Sequence, residues 1–161
     1  MGVVEPVART ALRLSSPGAT KALGARLADA IRPGDFLGLV GELGAGKTLL
    51  SRSICEALGV DPGRIASPTF AIVHPYDGGR IPVQHADLYR VSDYDELYAT
   101  GFLDLVGGEA AMIVEWIDRV PEAAPAEWLR IELRHEGPRT RVAILEGFGE
   151  RGRALVEAAA S

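Results

Sequence analysis

Gly41-Glu42-Leu43-Gly44-Ala45-Gly46-Lys47-Thr48 satisfies the pattern G-x-x-x-x-G-K-[ST], and its surroundings are those the pattern needs. Asp35-Phe36-Leu37-Gly38-Leu39-Val40 in front reads as a buried strand. Leu49-Leu50 to Leu58 behind reads as a helix that Gly59 closes. A strand that passes through a glycine turn into a helix N-terminus aims successive N–H groups at an anion. The glycines let the backbone close around phosphate oxygens. In this reading every residue from Gly41 to Thr48 belongs to a nucleotide-phosphate site. Lys47 carries a mobile positive charge toward the β- and γ-phosphates, and the Thr48 hydroxyl is placed to ligate Mg²⁺. The bland alternative is a glycine-rich turn that binds nothing; the strand and helix in the right order weigh against it.

The chain has 161 residues, 47% of them in the hydrophobic class, which suits one domain over residues 1–161 with a sizeable core. Net charge is −5 and no run of Lys or Arg forms a basic stripe, so autonomous nucleic-acid binding is not expected. Contact with RNA through a partner remains open. The only cysteine, Cys55, has the spacing of a buried apolar residue on the post-loop helix. A lone cysteine permits no internal disulfide and fits a reducing cytosol. No apolar run is long enough for a bilayer and no signal-peptide pattern opens the chain, so the expectation is a cytoplasmic protein without membrane contact.

Along the chain, Thr10 to Leu14 alternates weakly, as an edge strand does. Ser15-Ser16 can cap the next helix, with Pro17 at its first position and Leu23, Leu27, Ala30 and Ile31 facing inward. Asp77-Gly78-Gly79 separates Ala71 to Tyr76 from Ile81 to Ala86 as a hairpin would. Ser92 is the expected cap of a short helix from Asp93, with Asp95 at capping-box spacing. Met112-Ile113-Val114 continues an apolar run and reads as a central strand. Glu127 to Arg134 and Thr140 to Leu145 read as strands, and residues 150–160 as a terminal helix. The sum is an α/β fold: a central, mostly parallel sheet with an antiparallel edge, and helices on both faces.

A phosphate site of this kind needs an acid near Mg²⁺ at the C-terminal end of a strand. Glu115 directly follows the apolar strand; Asp87 ends the strand from Ile81. Either carboxylate can merely cap a turn. With the glycine loop in the same domain, Glu115 is the favoured metal ligand and Asp87 a second acidic contact, direct or through water. Thr69 sits where a γ-phosphate sensor would, though an ordinary strand threonine is locally as good a reading. His85 can orient the site, although an isolated histidine in this place is more often structural. For Trp116, core packing is the default. The chain contains no Asn, hence no Asn-Lys-x-Asp for guanine, and ATP is the expected nucleotide.

Four motifs occur in order: Gly41 to Thr48, Ser67-Pro68-Thr69-Phe70, His85-Ala86-Asp87-Leu88-Tyr89-Arg90, and Ile113-Val114-Glu115-Trp116. Together, over residues 10–145, they resemble the bacterial TsaE (YjeE) family of small ATPases that take part in forming N6-threonylcarbamoyladenosine at position 37 of tRNA. The resemblance implies a P-loop fold and Mg²⁺-dependent ATP hydrolysis, with Lys47 on phosphates, Thr48 and Glu115 on the metal, and Asp87 needed for turnover. It implies Ser67-Pro68-Thr69-Phe70 as a switch-like loop. It implies TsaD and TsaB as partners, tRNA being met through their assembly, which the ATP cycle resets. For adenine, the loop at Ser16-Pro17 and the turn at Gly137-Pro138-Arg139 are candidates, Pro17 and Arg139 in particular. Glu42 stands where Asp is frequent in the family, and Leu49 where a second Thr is. Two other readings remain at this stage: a small-molecule kinase, for which no lid insertion is seen, and a protein whose nucleotide is only a regulatory ligand.

Overall fold

A computed structural model describes residues 4–65 and 72–161. Seven strands form one sheet: β1 (Ala8–Leu14), β2 (Phe36–Val40), β3 (Val73–Tyr76), β4 (Val83–Asp87), β5 (Ala111–Glu115), β6 (Trp128–His135) and β7 (Arg141–Phe148). Their order is β1-β7-β6-β2-β5-β4-β3. The inner four, β6-β2-β5-β4, run parallel, and β7, β1 and β3 are antiparallel to their neighbours. The expected antiparallel edge is therefore present on both sides of the parallel centre. The hairpin at Asp77-Gly78-Gly79 makes one; the β6–β7 hairpin, onto which β1 adds as the outermost strand, makes the other.

Alternation along the strands sorts two cores. In β5, Ala111 and Ile113 join a core with Leu37, Leu39, Ile131 and Leu145, while Met112 and Val114 point into a second with Phe36, Leu88 and Phe102. Helices α1 (Pro17–Ala30), α2 (Lys47–Ala57) and α4 (Gly149–Ala160) all lie on the first core through Leu23, Leu27, Leu50, Ile54, Leu155 and Val156. Each such leucine removed from water contributes roughly 1.5–3 kcal/mol. The second core is covered by the short α3 (Tyr94–Ala99) and by 3-10 turns. Both faces are thus covered, but the long helices share one.

The chain's local signals hold at most boundaries. Ser16 caps α1, its Oγ accepting from the Ala19 N–H at 3.1 Å, with Pro17 at the first position. In α3 the cap is Asp93 rather than Ser92: Asp93 Oδ1 accepts from Glu96 N–H at 2.8 Å, and Glu96 reaches back to the Ser92 N–H at 2.9 Å. Cys55 is fully buried, and burial pushes its thiol up to about 12. Asp35, which starts the β2 segment, is clamped from α4: Arg151 Nε donates to Oδ1 at 2.9 Å and Nη2 to Oδ2 at 2.6 Å. Among the described residues no helix is long and apolar enough to cross a membrane.

Candidate active site

The loop between β2 and α2 holds three glycines with positive φ, Gly41, Gly44 and Gly46, where any side chain would be strained. Gly41 has φ 152°, and a Cβ there would stand 2.6 Å from the Leu133 carbonyl oxygen. Gly46, with φ 107°, caps α2 without a side-chain hydrogen bond, and the first turn of α2 contains no acid. The helix end thus keeps its N–H groups and positive dipole end uncompensated by its own side chains, the condition for holding an anion.

Lys47 opens α2 and is only 5% exposed. Its Nζ donates to the carbonyls of Gly41 at 2.5 Å and Glu42 at 2.7 Å, and lies 4.2 Å from the centre of the Trp116 ring. Burial draws the ammonium's pKa below the usual lysine range, and the neighbouring carboxylates, Glu115 foremost, oppose that shift. The loop is therefore closed on its own lysine.

Two acids face this lysine because of strand register. Asp87 and Glu115 are directly paired at the ends of the parallel β4 and β5. Counting back by two places His85 and Asp87 on one face of β4 and Ile113 and Glu115 on the same face of β5, the face that carries α2. Thr48 Oγ1 donates to Glu115 Oε1 at 3.0 Å, joining the start of α2 to the end of β5. His85 Nε2 donates to Glu115 Oε2 at 2.6 Å, and the Tyr76 hydroxyl lies 3.4 Å from His85 Nδ1. Asp87 accepts from the Tyr89 N–H at 2.8 Å. Desolvation raises its pKa, and the Glu115 charge acts in the same direction against the Tyr89 N–H, which lowers it.

Trp116 follows Glu115 in a left-handed conformation, φ 62°, the single non-glycine residue of the described chain with positive φ. Such a conformation costs of order 1–3 kcal/mol in a non-glycine residue and is retained where the surroundings fix it. Here the ring is half-buried, packed on Tyr89 with centroids 4.8 Å apart and planes tilted by 55°, and forms a wall for Lys47. The core packing expected of Trp116 holds in part: it packs against the second core and also borders the site.

A cavity of about 420 Å³ is lined by Gly44, Lys47, Thr48, Asp87, Arg90 and Glu115. A second, of about 390 Å³, shares Gly46 and Leu49 with it and runs between Pro17 at the start of α1 and Pro138, Arg139 and Arg141 of the β6–β7 hairpin. The expected residues Pro17 and Arg139 thus meet in one cavity next to the glycine loop. Arg141 ties that hairpin to the loop by donating to the Gly44 carbonyl at 3.4 Å. The loop Ser67-Pro68-Thr69-Phe70 lies outside the described residues.

The donor set fits Mg²⁺. A hydroxyl and a carboxylate, both hard oxygen donors, touch each other beside a lysine, and the described residues hold no cluster of three or more His, Cys, Asp or Glu that would cage an ion. Mg²⁺ is commonly held by one or two protein oxygens plus phosphates and water. Tyr76 is a participant that the sequence does not disclose, because its contact with His85 depends on hairpin register, for which the sequence holds no distance information. His85 takes the orienting place that the sequence allowed it, two residues before Asp87 on the same face.

A family model described as threonylcarbamoyl adenosine biosynthesis protein TsaE matches residues 14–143. The protein named tRNA threonylcarbamoyladenosine biosynthesis protein TsaE in Bacillus subtilis (strain 168) is 36% identical over 146 residues, covering 90% of each chain. Its namesake in Streptomyces coelicolor is 40% identical over 136 residues, covering 80% of this chain and 90% of the relative. The crystal structure of Bacillus subtilis YdiB superposes with a TM-score of 0.79 at 31% identity, over 95% of both chains.

Proposed function

The chain belongs to the TsaE family, and from that premise we propose that it is a cytoplasmic, Mg²⁺-dependent ATPase of tRNA N6-threonylcarbamoyladenosine biosynthesis, built as a P-loop domain and acting with TsaD and TsaB. The observation that carries the reading is the contact of Thr48, at the helix end of the loop, with Glu115, at the end of the neighbouring strand. A helix N-terminus, a lysine and an acid so joined form the minimal apparatus for phosphoryl chemistry.

The division of labour follows from position. Backbone N–H groups from Gly44 to Thr48 cradle phosphate oxygens. Lys47 exchanges the carbonyls of Gly41 and Glu42 for the β- and γ-phosphates, its charge strengthened by the dry surroundings. Thr48 and Glu115 would hold Mg²⁺, which when bound neutralises charge on the phosphate oxygens. Asp87, with a raised proton affinity and a place in the same cavity, orients the attacking water and accepts its proton. The second cavity, with Pro17 on one side and Arg139 on the other, takes the adenosine.

The test is steady-state phosphate release. ATP is expected to be hydrolysed slowly by the lone protein and at least several-fold faster with TsaB and TsaD. Glu115→Gln, which keeps shape but loses the charge Mg²⁺ needs, is expected to abolish turnover. ATP is expected to bind at least tenfold more tightly than GTP, about 1.4 kcal/mol. Equal calorimetric affinities for the two nucleotides, or wild-type turnover by Glu115→Gln, would overturn the assignment.

A further inference from the structure

We propose that His85 is a positioning residue for the metal side of this site: from inside the sheet it fixes the direction of the Glu115 carboxylate toward Thr48. The inference rests on the reading of Glu115 as the acid beside Mg²⁺.

The geometry is that of a carboxylate held from two sides. Glu115 is 2% exposed and His85 has no exposed surface at all. Oε1 receives the Thr48 hydroxyl at 3.0 Å, and Oε2 receives His85 Nε2 at 2.6 Å. One donor on each oxygen removes the rotational freedom of the carboxylate plane. The two donors differ in what they face. Thr48 lines the cavity and is the side a cation would compete for. His85 is absent from the cavity wall, so a cation entering the cavity does not compete for its hydrogen bond. The direction of Glu115 during loading is therefore set from the His85 end.

His85 is itself placed from its other side. The Glu115 carboxylate can only accept, so Nε2 carries the proton that faces it, and Nδ1 lies 3.4 Å from the Tyr76 hydroxyl. The Tyr76 ring, 6.0 Å from the His85 ring between centroids, limits its rotation from the neighbouring antiparallel strand. The sequence Tyr76–His85–Glu115–Thr48 crosses three adjacent strands and ends on the loop helix. Outer partners of this kind orient metal ligands, and their removal typically costs 10- to 100-fold in metal affinity.

A merely structural histidine would satisfy a buried carboxylate and nothing more. The two roles separate in a comparison of His85→Gln, which keeps a side-chain N–H donor, with His85→Met, which keeps similar volume without one. The probe is Mn²⁺, titrated by electron paramagnetic resonance into full-length protein saturated with ADP. ADP affinity in EDTA and the melting temperature of the nucleotide-free protein are measured in parallel. His85→Met is expected to weaken Mn²⁺ binding at least tenfold, and His85→Gln by no more than about threefold. ADP affinity in EDTA is expected to change less than about twofold in both, because metal-free binding does not use Glu115.

Equal Mn²⁺ affinities in the two variants would overturn the proposal. So would a parallel loss of metal-free ADP binding in His85→Met, or its failure to fold while His85→Gln folds, since His85 would then serve the fold. If Mn²⁺ gives no gain in the wild type either, the metal reading of Glu115 falls together with this inference. A normal wild-type metal effect with indistinguishable variants removes this inference alone.

Discussion

Lys47 faces inward, held by two carbonyls of its own loop and roofed by Trp116. Its burial works against its charge, so removing it takes away a desolvation cost as well as two hydrogen bonds. Lys47→Ala is therefore expected to lose ATP hydrolysis while the nucleotide-free melting temperature moves by less than about 4 °C. A larger drop would make Lys47 a structural residue. Asp87 carries a pH signature. Desolvation raises its pKa in the folded protein, so the native state holds that proton more tightly than the unfolded chain. Its contribution to stability is present below the unfolded value, about 4, and declines as pH rises through the raised folded value. Asp87→Asn removes this loss. Melting curves from acid to neutral pH are expected to show the variant gaining on the wild type as pH rises, then running parallel. A constant offset across that range would mean that Asp87 is not perturbed in the fold. In turnover assays the same variant is expected to lose rate more than nucleotide affinity.

At the scale of elements, α1 supplies one wall of the cavity beside the loop, and its start depends on one hydroxyl. Ser16→Ala is expected to cost about 1 kcal/mol, or some 2–4 °C in melting temperature. Thermal unfolding checks this, and an unchanged midpoint would mean that Pro17 alone fixes the helix start. The same element marks how much the sequence disclosed. Where a signal is local, residues and structure agree: Ser16-Pro17 opens α1, the glycine loop joins β2 to α2, and period-two alternation sends His85, Asp87 and Glu115 to one face. Where two neighbours carry equivalent chemistry, the local signal is ambiguous. Ser92 and Asp93 both can cap, and the register is decided by where Glu96 reaches back. Where the determinant is distant, the sequence is silent. Arg141 meets Gly44, and Tyr76 meets His85, through strand order and register alone. The left-handed backbone of Trp116 is equally illegible, because a bulky aromatic ordinarily avoids that region.

For the whole molecule, the acidic balance governs what the protein meets alone. With net charge −5 and no basic stripe, tRNA is expected to bind no more tightly than about 1 µM at physiological salt, measured by fluorescence anisotropy without partners. Tighter binding would point to a cationic surface created by folding. Rate enhancement is then expected only when TsaB and TsaD are added. One feature of the sheet also bears on how the protein is made. Among the described residues β1 has its one sheet neighbour in β7, with Ala8 opposite Gly147, and Asp35 waits for Arg151. Strand β1 therefore leaves the ribosome long before the strand it needs, and Asp35, ahead of the glycine loop, is translated more than a hundred residues before its counter-charge. Nascent chains stalled before β7 emerges are expected to stay open to protease along β1, with protection arriving in one step once α4 clears the exit tunnel. In this fold vectorial synthesis cannot complete the β1 edge of the sheet as β1 appears; that edge waits until β7 has been made.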